Sequence, residues 1–305
     1  MSKSFHLWRS WNFKVIHGAR LILFFSLICL TGCGEMHRPT LVKQKVKISI
    51  VPTFSLEMTT KCYKPLLDYL ANETGYEIEY MSALDYENYL STVAGARVEI
   101  GYQNPALYLT LKKTCQASPL AIALGSNESK YSRGIIITYQ GSEIEKITDL
   151  RGQGIGITSE RALGGFLSQR ALCQREGLNL EREAQLVYFR TQDEILRKVI
   201  EKKLKAGFVR QDVVEMETTV WVSGRSPILK IIAYTDSFPN WCFASFDHTP
   251  KEVAIRIKEA LLKLNPANPK HQEILKTAGI SGFAETSEED FLPVKKLLQE
   301  LQIAY

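Results

Sequence analysis

The chain has 305 residues and a formal charge of +5, from 38 lysine and arginine residues against 33 aspartate and glutamate residues. Four of those basic residues, and no acidic residue, lie in residues 1–32, so the remainder carries 34 basic against 33 acidic residues. A nearly neutral body lacks the positive charge on which nucleic-acid binding depends. Residues 33–305 are also many for one hydrophobic core, and they predict two lobes.

The N-terminal leader predicts export and a lipid anchor. A basic stretch precedes the apolar run Leu21–Leu30, which is far shorter than the roughly 20 residues of a membrane-spanning helix. Leu30-Thr31-Gly32-Cys33 matches the bacterial lipobox, in which the cysteine that follows the cleavage site is lipidated. The alternatives are an ordinary signal peptide or an uncleaved anchor with a chance cysteine.

We therefore expect a signal peptide over residues 1–32 and a tether over residues 33–44, with Cys33 as the lipidated residue. The protein would then be extracytoplasmic, anchored to the cell membrane or to the outer membrane. Four cysteines would remain in the folded part: Cys62, Cys115, Cys173 and Cys242. Their spacing includes no C-x-x-C, which argues against a zinc ribbon or a thioredoxin-like motif. Disulfides and buried free thiols both stay possible, and the sequence does not pair the cysteines.

Strand-like and helical segments alternate through the first part of the body. Strands are predicted at residues 46–54, 76–81, 98–102, 119–125 and 133–139. The first helix is predicted to end before Gly75, Asp85 is placed to cap the second, and Asn104-Pro105 opens the third. This alternation is typical of a largely parallel α/β sheet.

The pattern then begins again and predicts a second α/β set. Its strands are predicted at residues 154–158, 185–189, 205–209, 228–234 and 243–246. Thr191-Gln192-Asp193-Glu194 fits a capping box at the start of a charged helix. Three helices follow, over residues 250–264, around 268–278, and from Ser287.

An ordered series of short motifs runs through both sets. The series comprises Tyr63–Leu70 with Thr74-Gly75, Val98–Gly101 with Pro105–Tyr108, Tyr131–Gly134 with Ile147–Gly152, and Gly279–Phe283 with Asp290–Val294. It resembles the substrate-binding lipoproteins and periplasmic proteins of phosphate, phosphite and phosphonate ABC transporters, over almost all of Lys47–Ile303.

The resemblance implies a two-lobed type II periplasmic-binding fold, with a mostly parallel sheet flanked by helices in each lobe. It places the two chain crossings near Arg133–Gly134 and Thr235–Phe238. The first lobe would comprise residues 45–133 and 238–305, and the second residues 134–237. It also implies a non-enzymatic receptor that captures a small anion between the lobes and delivers it to an ABC permease.

One motif of that family is altered in this chain. The family binds its phosphorus oxyanion with an S-T-S-G turn at a helix N-terminus, and the matching stretch here, Ala162–Leu167, has no hydroxyl group. The histidine of a later G-H pair is matched by Gln192. The fold inference stands, but the phosphonate-like nature of the ligand does not follow from these residues.

Arginines follow three strands of the second lobe and suggest another way to hold an anion. Ligands lie beyond the carboxyl ends of strands in open α/β sheets, and Arg161, Arg190 and Arg210 occupy such ends. Guanidinium groups bind carboxylate or phosphate through paired hydrogen bonds, so the three could form an anion clamp. Alternatively, they point into solvent from surface loops.

Further candidates for the cleft are aromatic and polar residues near strand ends. Phe54 and Tyr102 could stack on a ligand or pack in the core, and Gln103 and Asn104 could orient polar groups. Tyr131 lies beside the hinge. Asp212 has three possible roles: it accepts a hydrogen bond from a ligand amine, it binds across the closing lobes, or it caps the following helix.

The sequence also allows two other functions, a sensing subunit and an enzyme. A sensing subunit for a histidine kinase or chemoreceptor would use the same fold with a different membrane partner. An enzyme would need an activated nucleophile or a tuned acid–base pair. Beyond the tether only His248 and His271 remain, no catalytic motif is evident, and Cys62 is the only nucleophile that merits a test. No metal or cofactor is predicted.

Overall fold

Helices and strands alternate along the computed structural model, which describes residues 43–215 and 229–305. The leader, Cys33 and most of the predicted tether lie outside the described residues. The elements of the first part are β1 (Lys45–Ile50), α1 (Leu56–Thr74), β2 (Glu77–Ser82), α2 (Tyr86–Ala94), β3 (Ile100–Gln103), α3 (Pro105–Cys115) and β4 (Ser118–Leu124).

The second part adds a further set of strands and helices. Its elements are β5 (Tyr131–Tyr139), β6 (Gly154–Ile157), α4 (Leu167–Arg175), α5 (Leu180–Glu183), β7 (Gln185–Tyr188), α6 (Gln192–Ile200), β8 (Ala206–Arg210) and β9 (Leu229–Pro239). The chain then continues through β10 (Cys242–Ser245), α7 (Lys251–Leu262), α8 (Pro269–Thr277), β11 (Gly282–Ala284) and α9 (Leu292–Glu300).

The strands form two separate sheets, which define two lobes. The first sheet has the order β11-β4-β10-β3-β1-β2 and the second the order β7-β6-β8-β5-β9. In the first sheet β1 to β4 point the same way, with β10 and β11 reversed. In the second, only β5 runs against the other described strands. The two-sheet α/β architecture predicted from the alternation is thus present.

Local side chains set several helix starts as the sequence predicts. Asn104 accepts from the backbone N–H groups of Ala106 and Leu107, and Asp85 accepts from that of Asn88. Gly75 ends α1 with a φ of 75°, in the left-handed region that glycine adopts without steric cost.

The capping box predicted at Thr191 is not formed. Thr191 does precede α6, but its side chain makes no capping hydrogen bond. The backbone N–H of Gln192 instead donates to the carbonyl of Thr53 at 2.8 Å. A tertiary contact thus satisfies one of the free amide groups of the helix start, which a local motif cannot reveal.

Strands β5 and β9 run side by side where the chain passes between the sheets. Their pairing extends from Tyr131 opposite Pro239 to Tyr139 opposite Leu229, and its register shifts between Arg133 and Ile135. The backbone N–H of Gly134 donates to Thr235 Oγ1 at 2.9 Å. A Cβ atom on Gly134 would lie 2.4 Å from Gln169 Nε2, so a side chain larger than hydrogen does not fit there.

A small apolar cluster covers one face of the second sheet. It contains Ile135, Ile137, Ile195, Leu196, Val199, Leu204, Val209 and Val213, together with Phe54 from the first lobe. Phe54 follows β1 and is only 4% exposed. One buried aromatic ring therefore extends from the first lobe into the apolar cluster of the second.

The four cysteines of the described residues are buried and none forms a disulfide, which decides between the two alternatives left open by the sequence. Burial raises the pKa of the Cys173 thiol to about 12 and moves that of Cys242 in the same direction. Among the described helices, none is long and apolar enough to cross a membrane.

Candidate functional site

A cavity of about 500 Å³ lies between the two sheets and takes residues from both lobes. Its volume falls in the range of pockets that hold organic molecules. Its wall is strongly polar, with tyrosine, serine, asparagine and charged side chains. These residues are Tyr63, Tyr102, Ser126, Asn127, Ser129, Tyr131, Ser132, Arg133, Arg210, Gln211, Asp212, Glu215, Tyr234, Ser237 and Asn240.

Four residues that the sequence singled out line this cavity: Tyr102, Tyr131, Arg210 and Asp212. Tyr102 is buried, with its ring centroid 4.4 Å from that of Phe243, and burial raises the pKa of its hydroxyl well above the usual value. It therefore stays a neutral hydrogen-bonding group at physiological pH. Tyr131 is exposed beside the chain crossing.

Arg210 is buried and bonded on several sides. Its Nε donates to Asp212 Oδ1 at 2.8 Å, and its Nη2 lies 2.8 Å from Asp212 Oδ2. Nη2 also donates to Asn240 Oδ1 at 2.9 Å. The guanidinium carbon lies 4.9 Å from the ring centroid of Trp241, within cation–π range. The charge of Arg210 is thus compensated by the protein itself.

The turn that matches the family's oxyanion motif is tightly packed around this arginine. A Cβ atom on Gly164 would lie 2.6 Å from Arg210 Cγ and 2.8 Å from Phe238 Cζ. Gln192 Oε1 accepts from the backbone N–H of Arg210 at 2.8 Å. Gln169 Nε2 donates to the Gly164 carbonyl at 2.8 Å, which fixes the turn from its other side. The turn carries no hydroxyl group, and Arg210 fills the space beside Gly164.

Three first-lobe candidates lie in the protein interior and outside the wall of this cavity. Gln103 accepts from the Tyr89 hydroxyl and donates to Cys242 Sγ, and Asn104 caps α3. Phe54 belongs to the apolar cluster of the second lobe. Each of the three therefore has a structural contact in the fold.

The structure does not bring the three predicted arginines together. Arg161 lines a second cavity, of about 590 Å³, and pairs with Glu87 across the lobes at 2.7 Å. Arg190 is exposed and lines neither cavity. Arg210 alone reaches the first cavity, so a clamp of three arginines is not assembled.

Sequence reasoning did not include Arg133, Tyr234 and Asn240 among the site residues. The sequence places Arg133 only at a chain crossing, whereas in the structure its guanidinium carbon lies 5.9 Å from the ring centroid of Tyr234. Asn240 lies between β9 and β10 and bonds Arg210 over a separation of 30 residues. A polar residue at the end of a crossing strand is the only sequence signal that could have identified them.

The described residues contain no group of histidine, cysteine, aspartate and glutamate side chains that could hold a metal ion. Both histidines have structural contacts away from the cavity. His248 Nε2 lies 2.7 Å from the Val98 carbonyl, and the His271 ring packs edge-on against Tyr69. Cys62 is buried in α1.

The sequence model of one family, described as the phosphonate periplasmic substrate-binding protein of ABC transporters, matches residues 48–291. The chain belongs to this family. It is therefore a substrate-binding component of an ABC transporter, with a small-molecule ligand, a membrane permease as partner and an extracytoplasmic location.

Solved structures agree on the fold. A binding protein component of a Pseudomonas aeruginosa ABC phosphonate transporter superposes with a TM-score of 0.78 at 15% identity, covering 85% of this chain and 87% of that one. PhnD1 of Prochlorococcus marinus in complex with methylphosphonate gives a TM-score of 0.74 at 12% identity, over 86% and 99%. A Xanthomonas citri protein bound to ATP gives 0.66 at 16% identity, over 85% and 98%. These likenesses support the type II periplasmic-binding fold.

Proposed function

We propose that the protein captures a small organic anion in the 500 Å³ cavity between its lobes and delivers it to the permease without chemical change. The observation that carries this proposal is the cavity itself, lined from both sheets by arginine, tyrosine, serine and asparagine side chains. Family membership supplies the transport role. Of the site residues predicted from the sequence, Tyr102 and Tyr131 are the proposed ligand contacts, and Arg210 and Asp212 line the same cavity as an ion pair.

The proposed ligand binds in the cavity between the lobes, whereas the family binds its oxyanion at a hydroxyl-rich turn. Arg210 packs against Gly164, and the matching turn offers no hydroxyl group to a tetrahedral anion. A cavity of about 500 Å³ is also larger than one inorganic oxyanion requires. An organic anion with a polar body fits both observations. Methylphosphonate, with which the Prochlorococcus protein was solved, is the smallest organic probe.

The lobes would close about β5 and β9. We propose lobe boundaries at residues 45–133 with 238–305, and at 134–237, because the register shift between Arg133 and Ile135 marks a bend there. Closure would be driven by contacts that the ligand makes in the closed state alone.

A thermal-shift screen of a soluble form that begins at Gly34 tests ligand capture. We would compare phosphate, phosphite, methylphosphonate, larger phosphonates and dicarboxylates at constant ionic strength, with chloride as the control. Binding raises the melting temperature by mass action and should reduce the radius of gyration as the lobes close. If no anion stabilises the protein, the proposed ligand class is wrong. Conversion of a bound ligand to product would contradict the non-enzymatic role.

The anchor is proposed on the lipobox and is tested separately. We propose that Cys33 is lipidated and that residues 33–44 form the tether. Mass spectrometry of the N-terminal peptide should show diacylglyceryl or acyl modification of Cys33. Cys33→Ser should move the protein from the membrane fraction to the soluble fraction after cell lysis. An unmodified Cys33 in a membrane-bound protein would exclude the lipid anchor.

A further inference from the structure

Two arginines line the cavity, and the structure treats them differently. Arg210 is about nine-tenths buried, and its guanidinium forms a two-point ion pair with Asp212 and a hydrogen bond with Asn240. Its positive charge is therefore balanced before a ligand arrives. A ligand anion would have to compete with Asp212 for the same donors.

Arg133 has no such partner within residues 43–215 and 229–305. None of the aspartates and glutamates in this part of the chain forms an ion pair with Arg133. Its guanidinium carbon lies over the ring of Tyr234, 5.9 Å from the ring centroid. Stacking on a tyrosine ring leaves the edge of a guanidinium, with its N–H donors, available for a ligand. Arg133 is the cavity-lining arginine of the described chain whose charge is uncompensated.

The backbone around Arg133 is fixed by the crossing strands. Arg133 lies opposite Ser237 in the β5–β9 ladder, and the next residue, Gly134, is held by the Thr235 hydroxyl at 2.9 Å. Tyr131, Ser132 and Ser237 bring further hydroxyl groups to the same wall. An anion at Arg133 would therefore meet several neutral donors beside one guanidinium fork.

We propose that Arg133 is the residue that binds the anionic group of the ligand, a carboxylate or phosphonate, whereas Arg210 shapes the cavity from within the protein. This assignment rests on the proposed function, since it names the contact residue of that same site. Because Arg133 lies on β5, which crosses between the lobes, the ligand anion would bind where the two lobes meet. One arginine on this crossing strand takes the place of the three arginines that the sequence predicted as an anion clamp.

The test compares four variants in the soluble form that begins at Gly34. Isothermal titration would use inorganic phosphate, methylphosphonate and succinate as probes, which separates phosphorus oxyanions from carboxylates. For the probe that binds the wild type, Arg133→Ala and Arg133→Met should weaken affinity by about tenfold or more, since a charge-assisted pair is lost. Arg133→Lys should be intermediate because it keeps the charge without the fork. Arg256→Ala, which removes an exposed arginine that pairs with Glu252 on α7 and does not line the cavity, is the matched control and should leave affinity unchanged.

The outcomes separate the two proposals. Equal affinity of the wild type and Arg133→Ala would overturn the assignment of Arg133 and leave the proposed function in place. Failure of every probe to bind the wild type would overturn the proposed function and the assignment together. Because Arg133 is exposed, its variants should retain the wild-type melting temperature without ligand, which shows that a loss of affinity is not a loss of folding.

Discussion

The backbone N–H of Gln192 donates to the carbonyl of Thr53 across the two lobes, at 2.8 Å. Gln192 opens α6, which packs on the second sheet, and Thr53 follows β1 of the first sheet. The next residue, Phe54, is buried among the side chains of α6, β5 and β8. A hydrogen bond and an aromatic ring thus join the lobes side by side.

Phe54→Ala should loosen this junction. Removing a buried phenylalanine ring costs about 3–5 kcal/mol in a protein core, and here the lost contacts lie between the lobes. We expect a lower melting temperature and a larger radius of gyration by small-angle X-ray scattering, because the open arrangement becomes more populated.

Leu56→Ala is the control for Phe54, since Leu56 is two residues away and 60% exposed. It should change neither the melting temperature nor the radius of gyration appreciably. If Phe54→Ala lowers the melting temperature but has the same radius of gyration as the wild type, then Phe54 stabilises the second lobe without holding the two lobes together.

Asp212→Ala should lower the stability of the protein more than the removal of an exposed carboxylate does. It leaves the buried guanidinium of Arg210 without its ion partner, and breaking a buried pair in this way costs about 3–5 kcal/mol. Glu87→Ala removes the partner of Arg161 at an exposed site, where the cost is below about 1 kcal/mol. Urea unfolding of both variants gives the comparison.

A double variant separates loss of the pair from loss of packing. Arg210→Met with Asp212→Ala removes the unpaired charge and keeps much of the side-chain volume beside Gly164, so it should recover part of the stability lost in Asp212→Ala. Additive losses in the double variant would mean that the two residues do not stabilise the fold as a pair.

Much of the fold could be predicted because its signals are local. Asp85, Asn104 and Gly75 act on backbone groups within a few residues, so spacing alone places the helix ends. The strand and helix alternation likewise identifies two sheets. The capping box at Thr191 failed as a prediction because a carbonyl more than a hundred residues away supplies the partner.

The site was less predictable because its contacts are distant in sequence. Arg210 could be placed at a strand end, but neither its hydrogen bond to Asn240 nor its packing on Gly164 is visible from spacing. Whether an arginine is free or paired depends on these contacts. The same sequence position, at the end of a strand, describes the buried Arg210 and the exposed Arg190 equally well.

Thiol reactivity should show that the cysteines are inaccessible and reduced. In the soluble form that begins at Gly34, the remaining cysteines are buried and form no disulfide: Cys62, Cys115, Cys173 and Cys242. Since the thiolate is the reacting form and burial raises the pKa of Cys173 to about 12, native protein should not react with Ellman's reagent at pH 8. In denaturant without reductant, four thiols should react. Fewer than four would reveal a disulfide, and rapid reaction of the native protein would reveal an accessible thiol.

Gly164→Ala tests whether Arg210 fills the altered turn. The added methyl group would lie 2.6 Å from Arg210 Cγ and 2.8 Å from Phe238 Cζ, so arginine or the turn must move. Overpacking of this kind costs about 1–3 kcal/mol. Gly154→Ala is the matched control, because the nearest atom to its Cβ is Val187 Cγ2 at 3.7 Å. Chemical denaturation should therefore show a clear loss of stability for Gly164→Ala and little change for Gly154→Ala.

Combining Gly164→Ala with Arg210→Ala should relieve the clash between the new methyl group and Arg210. The Arg210→Ala substitution should therefore cost less stability in the Gly164→Ala background than in the wild type. An equal cost in both backgrounds would mean that Gly164 and Arg210 are not in contact.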